Sequence, residues 1–200
     1  MNLPNKLTVV RVFMIPAVIA AIMLGGVIPG YIAYPLAALI FGAASFTDFL
    51  DGKIARSRGL ITDFGKFMDP LADKLMVIGT MLTVLYKFEA IRPYFFWAVL
   101  VVIFREFMVT GIRLIAVSAP GGQVIAANKL GKIKTVTQII CVLAVLVEPA
   151  AQDVIEMFVD GYVLHNVFPL SLLTTAVMTV FTVWSGVAYL WQYRHFLKDC

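Results

Sequence analysis

Charged residues are scarce along this chain, and their placement divides it into long apolar runs. Residues 12–47 hold no Asp, Glu, Lys or Arg. A helical crossing of a bilayer takes about 20 apolar residues, so this run is too long for one span. Gly25-Gly26 and Pro29-Gly30 punctuate it as a turn. The pattern predicts a first span over about 7–25 and a second over about 31–51. The second is expected to continue as helix to Arg56, with Gly59 ending it and a short loop leading to Gly65. A third span is expected over about 66–86, with Pro70 tolerated in its first turns. Lys87 to Arg92 reads as a short connector. A fourth span over about 93–116 stops before the Pro120-Gly121-Gly122 turn. A basic stretch from Lys129 to Lys134 precedes a fifth span over about 132–149, and a sixth covers about 168–193. Between them, Glu148 to Phe168 carries four acids and no Lys or Arg, and reads as a loop. Residues 1–200 form one domain in this reading, an all-α integral membrane bundle of six transmembrane helices.

Composition agrees with that class. The chain is 61% hydrophobic and 14% charged, far from an ordinary soluble domain. Cys141 and Cys200 are its two cysteines, too few and too ill-placed for a disulfide framework. Arg11 stands early in the first apolar segment and a second apolar run follows at once, which argues for a span and against a cleaved leader. Of the 16 Lys and Arg residues, Lys87 and Arg92 fall at the opposite end of the spans from the chain start, and Arg105 falls mid-span. The rest gather on the N-terminal side, so the positive-inside rule puts both termini in the cytoplasm. The net charge of +4 is spent on membrane orientation, and no nucleic-acid partner is expected.

The chemistry concentrates between Asp48 and Asp73. Asp48 and Asp51 (i, i+3) share one helical face, and Asp69 and Asp73 (i, i+4) share another. A charge deep in a bilayer costs about 2.5–3.5 kcal/mol on insertion scales, and four acids brought together also repel one another. A divalent cation is the simplest compensation. Oxygen ligands with no His or Cys nearby favour Mg²⁺ or Mn²⁺. Two such faces suit two cations about 3.5–4 Å apart, an arrangement used in phosphoryl transfer. Asp63, between the pairs, reads as a solvated loop residue. Cation transporters also use intramembrane acids, but these gather at one membrane face and line no path across it.

The run Asp48-x2-Asp51-Gly52-x2-Ala55-Arg56-x8-Gly65-x3-Asp69-x3-Asp73 resembles the signature of the CDP-alcohol phosphotransferases at every fixed position. Further stretches extend the resemblance over nearly the whole chain: Asn5-x2-Thr8-x2-Arg11, Arg105-Glu106 with Arg113, Gly131-Lys-Ile-Lys134-Thr135 with Gln138, and Ser185-Gly186. They are most similar to the bacterial branch of the family that acts on sn-glycerol 3-phosphate. The resemblance implies a six-helix membrane fold, often a homodimer, with a cytoplasm-facing polar cavity. It implies transfer of a phosphatidyl group from CDP-diacylglycerol to sn-glycerol 3-phosphate among membrane lipids, with release of CMP. An acceptor such as inositol phosphate is the nearest alternative.

By the same resemblance Asp48, Asp51, Asp69 and Asp73 bind the two cations, and Asp73 is the candidate general base. Asn5, Thr8, Gly52, Ala55, Arg56 and Gly65 are candidate nucleotide-binding residues. Each has a plainer reading beside that one. Gly52 and Ala55 suit close helix packing, Arg56 suits a positive-inside anchor, and Asn5 and Thr8 suit helix capping. Gly65 either breaks the chain to turn Asp69 or ends a loop. A phosphorylated acceptor calls for a second cationic site, for which Arg105, Arg113, Lys132 and Lys134 are the candidates. Glu106, beside Arg105, alternatively makes a structural ion pair.

Overall fold

The structure, a computed structural model, describes residues 3–58, 63–118, 129–159 and 167–194. Six helices make it up: α1 (Leu3–Leu24), α2 (Gly30–Arg58), α3 (Asp63–Lys87), α4 (Arg92–Ser118), α5 (Lys129–Glu156) and α6 (Pro169–Tyr193). At 1.5 Å per residue each exceeds the roughly 30 Å of a hydrocarbon core. Five of them are apolar enough along their length to cross a membrane. The exception is α3, whose first half carries Asp69, Asp73 and Lys74 and whose apolar half is short. It packs against α1, α4 and α5.

Three boundaries differ from the expectation. First, α5 runs through Pro149 to Glu156, so the stretch expected as loop from Glu148 begins as helix. Proline forfeits one backbone bond, whereas leaving the helix in apolar surroundings strands several. Second, α3 starts at Asp63, so Asp63 belongs to the helix and not to a loop. Third, Gly65 is buried inside the first turns of α3, so it ends no loop.

The core is built by close approach. On α2, Ala33, Ala37, Ala38 and Ala44 are buried beside Phe41, a seam of small side chains facing α1 and α5. Bilayer lipid is as apolar as leucine, so helices gain from such intimate contact more than from burying large side chains. Many bulky residues point outward, among them Phe13, Leu39, Phe104, Phe107 and Trp191, while Phe41 and Phe95 are buried. Polar residues turn inward: Thr8, Arg11, Glu106, Lys134 and Gln138 are all buried. Thr80 and Thr182 satisfy their hydroxyls on carbonyls one turn back, at Met76 and Met178.

Contacts between helix ends fix which ends lie together. The starts of α1, α3 and α5 meet the far ends of α2, α4 and α6, as in Thr8 with Asp69, Arg11 with Asp48 and Arg105 with Ser185. At the opposite end the Tyr34 ring meets Phe88 edge-on at 4.8 Å. There Arg92 donates to the Leu85 and Tyr86 carbonyls that close α3.

Candidate active site

All the candidate residues with described side chains lie at the end of the bundle where α1 begins. Asn5, Thr8 and Arg11 recur every three residues and share one buried face of α1. The Thr8 hydroxyl donates to Asp69 Oδ1 at 2.6 Å. Arg11 Nη1 lies 2.8 Å from Asp48 Oδ1. One helical face thus ties the acid of α2 to the acid of α3, and the buried cation offsets part of their repulsion. Thr8 stands well inside α1, so it does not cap that helix.

Asp51, Gly52, Ala55 and Arg56 fall on the last turns of α2, and their side chains lie outside the described residues. Among the described residues no three His, Cys, Asp or Glu side chains gather closely enough to hold a metal ion. Asp48, Asp69 and Asp73 do share the bundle end, and their donors are all hard carboxylate oxygens. The fit of this group to a divalent cation therefore turns on Asp51.

Asp73 also borders a polar cavity of about 250 Å³ enclosed by α3, α4, α5 and α6. Lys74, Arg105, Arg113 and Lys134 bring four cations to its wall, against the two acids Asp73 and Glu106. Lys132, expected among them, is exposed on α5 and lines no part of the cavity. Residues two apart on a helix point apart, and Lys134 takes the inward direction.

Each cation is held by named partners. Arg105 Nη2 donates to Ser185 Oγ at 2.7 Å, and Nη1 pairs with Glu106 Oε1 at 3.1 Å. Lys134 donates to the same Glu106 oxygen, so the expected structural ion pair exists and lies within the cavity wall. Lys74 donates to Thr110 Oγ1. Arg113 Nε donates to the Tyr189 hydroxyl at 3.2 Å, with its guanidinium 5.8 Å from that ring's centre. Gly186 leaves room for Arg105: a Cβ there would stand 3.3 Å from the arginine Cγ and from Met108 Cε. Arg105 borders both this polar cavity and an apolar groove between α4 and α6, its long stem suiting one and its guanidinium the other.

Four of these residues were not singled out as site residues from sequence. The resemblance groups Arg11 with Asn5 and Thr8 but gives it no role in the site. Lys74, Ser185 and Tyr189 enter through contacts between distant parts of the chain.

The model of the CDP-alcohol phosphatidyltransferase family matches residues 1–188. The chain is 41% identical to a CDP-diacylglycerol–glycerol-3-phosphate 3-phosphatidyltransferase of Bacillus subtilis (strain 168), over 96% of this chain and 93% of that protein. A protein of the same description from Rickettsia felis is 35% identical, over 82% of this chain and 84% of its own. Another from Sodalis glossinidius is 31% identical, over 100% and 98%.

Proposed function

The chain belongs to the CDP-alcohol phosphatidyltransferase family, and from that premise we propose that it transfers a phosphatidyl group from CDP-diacylglycerol to sn-glycerol 3-phosphate. The products are phosphatidylglycerophosphate and CMP. The observation that carries the choice of acceptor is the cation-rich cavity beside Asp73. A phosphorylated acceptor needs paired cations at a fixed distance from the reacting hydroxyl, and here Arg105, Arg113, Lys134 and Lys74 share a wall with that carboxylate. Relatives named for glycerol 3-phosphate support the same choice.

With the acceptor's phosphate on Arg113 and Lys134, its free hydroxyl is directed toward Asp73. Asp73 takes the hydroxyl proton as the oxygen attacks the phosphorus of the phosphatidyl group, and the bond from that phosphorus to CMP breaks. Fixing both reactants at one bundle end converts an encounter into an intramolecular step. Asp48, Asp51, Asp69 and Asp73 would hold two divalent cations, Mg²⁺ or Mn²⁺, with Asp48 oriented by Arg11 and Asp69 by Thr8. Such cations, when bound, neutralise the pyrophosphate and the charge on departing CMP. Asn5, Gly52, Ala55, Arg56 and Gly65 complete the nucleotide side of the site.

We also place this end of the bundle, both termini included, in the cytoplasm, because the basic residues gather there. We expect the chain to act as a homodimer, as the family resemblance implies.

The purified protein with CDP-diacylglycerol, a divalent cation and radiolabelled acceptors tests the assignment. Labelled phosphatidylglycerophosphate is expected from glycerol 3-phosphate, with little product from inositol phosphate or serine. Phosphatidylinositol phosphate as the main product would overturn the acceptor. Cation flux through proteoliposomes without CMP formation would overturn the reaction class.

A further inference from the structure

Gln138 stands on α5 one turn beyond Lys134, on the same face of the helix. Its side chain is 1% exposed. Its Nε2 is buried and has no hydrogen-bond partner among the described residues. A buried amide donor left in that state keeps the full cost of its lost hydration. An amide at such a position is therefore either a liability or the holder of something small.

The surroundings favour the second. Gln138 lines a small cavity of about 10 Å³ behind the larger one, closed by the apolar side chains of Val77, Ile78 and Val102. That is about the room a single water needs. The polar part of its wall is Asp73, Lys74, Glu106 and Lys134. That wall offers a water two carboxylates as acceptors and the Gln138 amide and an ammonium group as donors. A buried water asks for two to four such partners.

We propose that this cavity binds one water held by Gln138 Nε2, and that through it Gln138 is a positioning residue for Asp73. The water joins the carboxylate facing the phosphatidyl donor to the Glu106–Lys134 pair of the acceptor cavity. Its catalytic consequence rests on the transfer reaction proposed above. The water site itself does not.

Gln138→Leu fills the same space without a donor. The substitution takes one partner from the water and adds apolar contact, so the melting temperature is expected to stay within about 4 °C of wild type. We expect kcat to fall about ten- to a hundredfold, the scale of a small misplacement at the reacting centre. KM for CDP-diacylglycerol is expected to stay within about twofold, because the nucleotide lies on the other side of Asp73. Wild-type kcat in a folded Gln138→Leu protein would overturn the positioning role. A cryo-electron microscopy map of the wild-type protein that resolves ordered water decides the site independently. Density for one water within hydrogen-bond reach of Nε2 supports it, and a dry cavity overturns it. Absence of transferase activity in the wild-type protein would count against the reaction and leave the water site to be judged by the map.

Discussion

Arg11 and Asp48 are joined across α1 and α2 by a 2.8 Å ion pair in which the arginine side chain is wholly buried and the aspartate is 37% exposed. The pair is unequal. The cation is committed to the interior, while the carboxylate faces the end of the bundle where the other acids stand. Breaking a buried pair by removing one partner commonly costs about 3–5 kcal/mol, and partial hydration of Asp48 reduces that here. Arg11→Met is expected to lower thermal stability in detergent and to cut transfer at least tenfold, because Asp48 loses the group that orients it. In a double-mutant cycle with Asp48→Asn, the coupling is expected at about 1–3 kcal/mol. Additive single effects would mean that the two side chains act separately.

Asp51→Asn and Asp69→Asn are expected to abolish transfer while the protein remains folded in the membrane. Under the proposed metal ligation, each exchanges a charged oxygen for a neutral amide of nearly the same shape, so cation affinity is lost. Chelation of divalent ions should silence the wild-type protein in the same way, and Mg²⁺ or Mn²⁺ should restore it. The measurement is CMP release against added metal, alongside a thermal melt. Full turnover by either variant at limiting metal would remove it from the ligand set.

The helix count and most of the turns could be read from sequence because their causes are local. A crossing length of about 20 residues and the Gly and Pro punctuation at 25–30 involve only neighbouring residues, while the turn expected at 120–122 lies outside the described residues. The fifth span is expected to end near 149, but the cost of an open helix end in apolar surroundings carries α5 on through Pro149. The four acids were evident from their spacing. What held them was not: Arg11 looked like a charge near a membrane surface, although the three-residue steps from Asn5 through Thr8 already placed it on one inward face. The choice between Lys132 and Lys134 was also open to geometry, since two steps along a helix reverse a side chain's direction. The roles of Ser185 and Tyr189 depend on α6 returning beside α4, which no short-range pattern encodes.

Arg113→Ala is expected to raise KM for glycerol 3-phosphate much more than KM for CDP-diacylglycerol, because the residue lines the cavity proposed for the acceptor. Tyr189→Phe tests how Arg113 is held. It removes the acceptor of the 3.2 Å bond from Nε and keeps the ring beneath the guanidinium. The loss should be modest, about 1 kcal/mol or roughly fivefold in KM for glycerol 3-phosphate. Equal changes in both Michaelis constants for Arg113→Ala would dissociate the cavity from the acceptor.

Gly186→Val is expected to disturb Arg105 from behind. Even a Cβ would press on Arg105 Cγ and Met108 Cε at 3.3 Å, and a branched side chain must displace both. The arginine stem then shifts away from Ser185, whose hydroxyl holds its Nη2. The expected readout is a raised KM for glycerol 3-phosphate, with Gly186→Ala intermediate because its single methyl needs only a few tenths of an ångström. Wild-type kinetics for Gly186→Val would show that Arg105 is positioned by other contacts.

Glu148 offers the opposite case, a half-buried polar device far from the chemistry. Its carboxylate accepts from the backbone N–H groups of Leu170 and Ser171, at 2.8 and 2.6 Å, and from the Ser171 hydroxyl at 2.5 Å. The residue at the cap position of α6, Phe168, has no side-chain oxygen to satisfy those first-turn donors. A negative charge at that terminus also meets the positive end of the helix dipole. Because α5 continues past Pro149, Glu148 is carried on a helix and reaches α6 from the side, stapling the two together. Glu148→Gln keeps the shape and loses the charge, and should cost about 1 kcal/mol, with Glu148→Ala costing about 2. Both should leave kcat and both Michaelis constants unchanged at temperatures where the protein is folded, since the cap lies at the end of the bundle away from Asp73. A melting temperature lowered in step with these substitutions, with kinetics intact, is the expected result. Loss of activity without loss of stability would show that the two ends of the bundle are coupled.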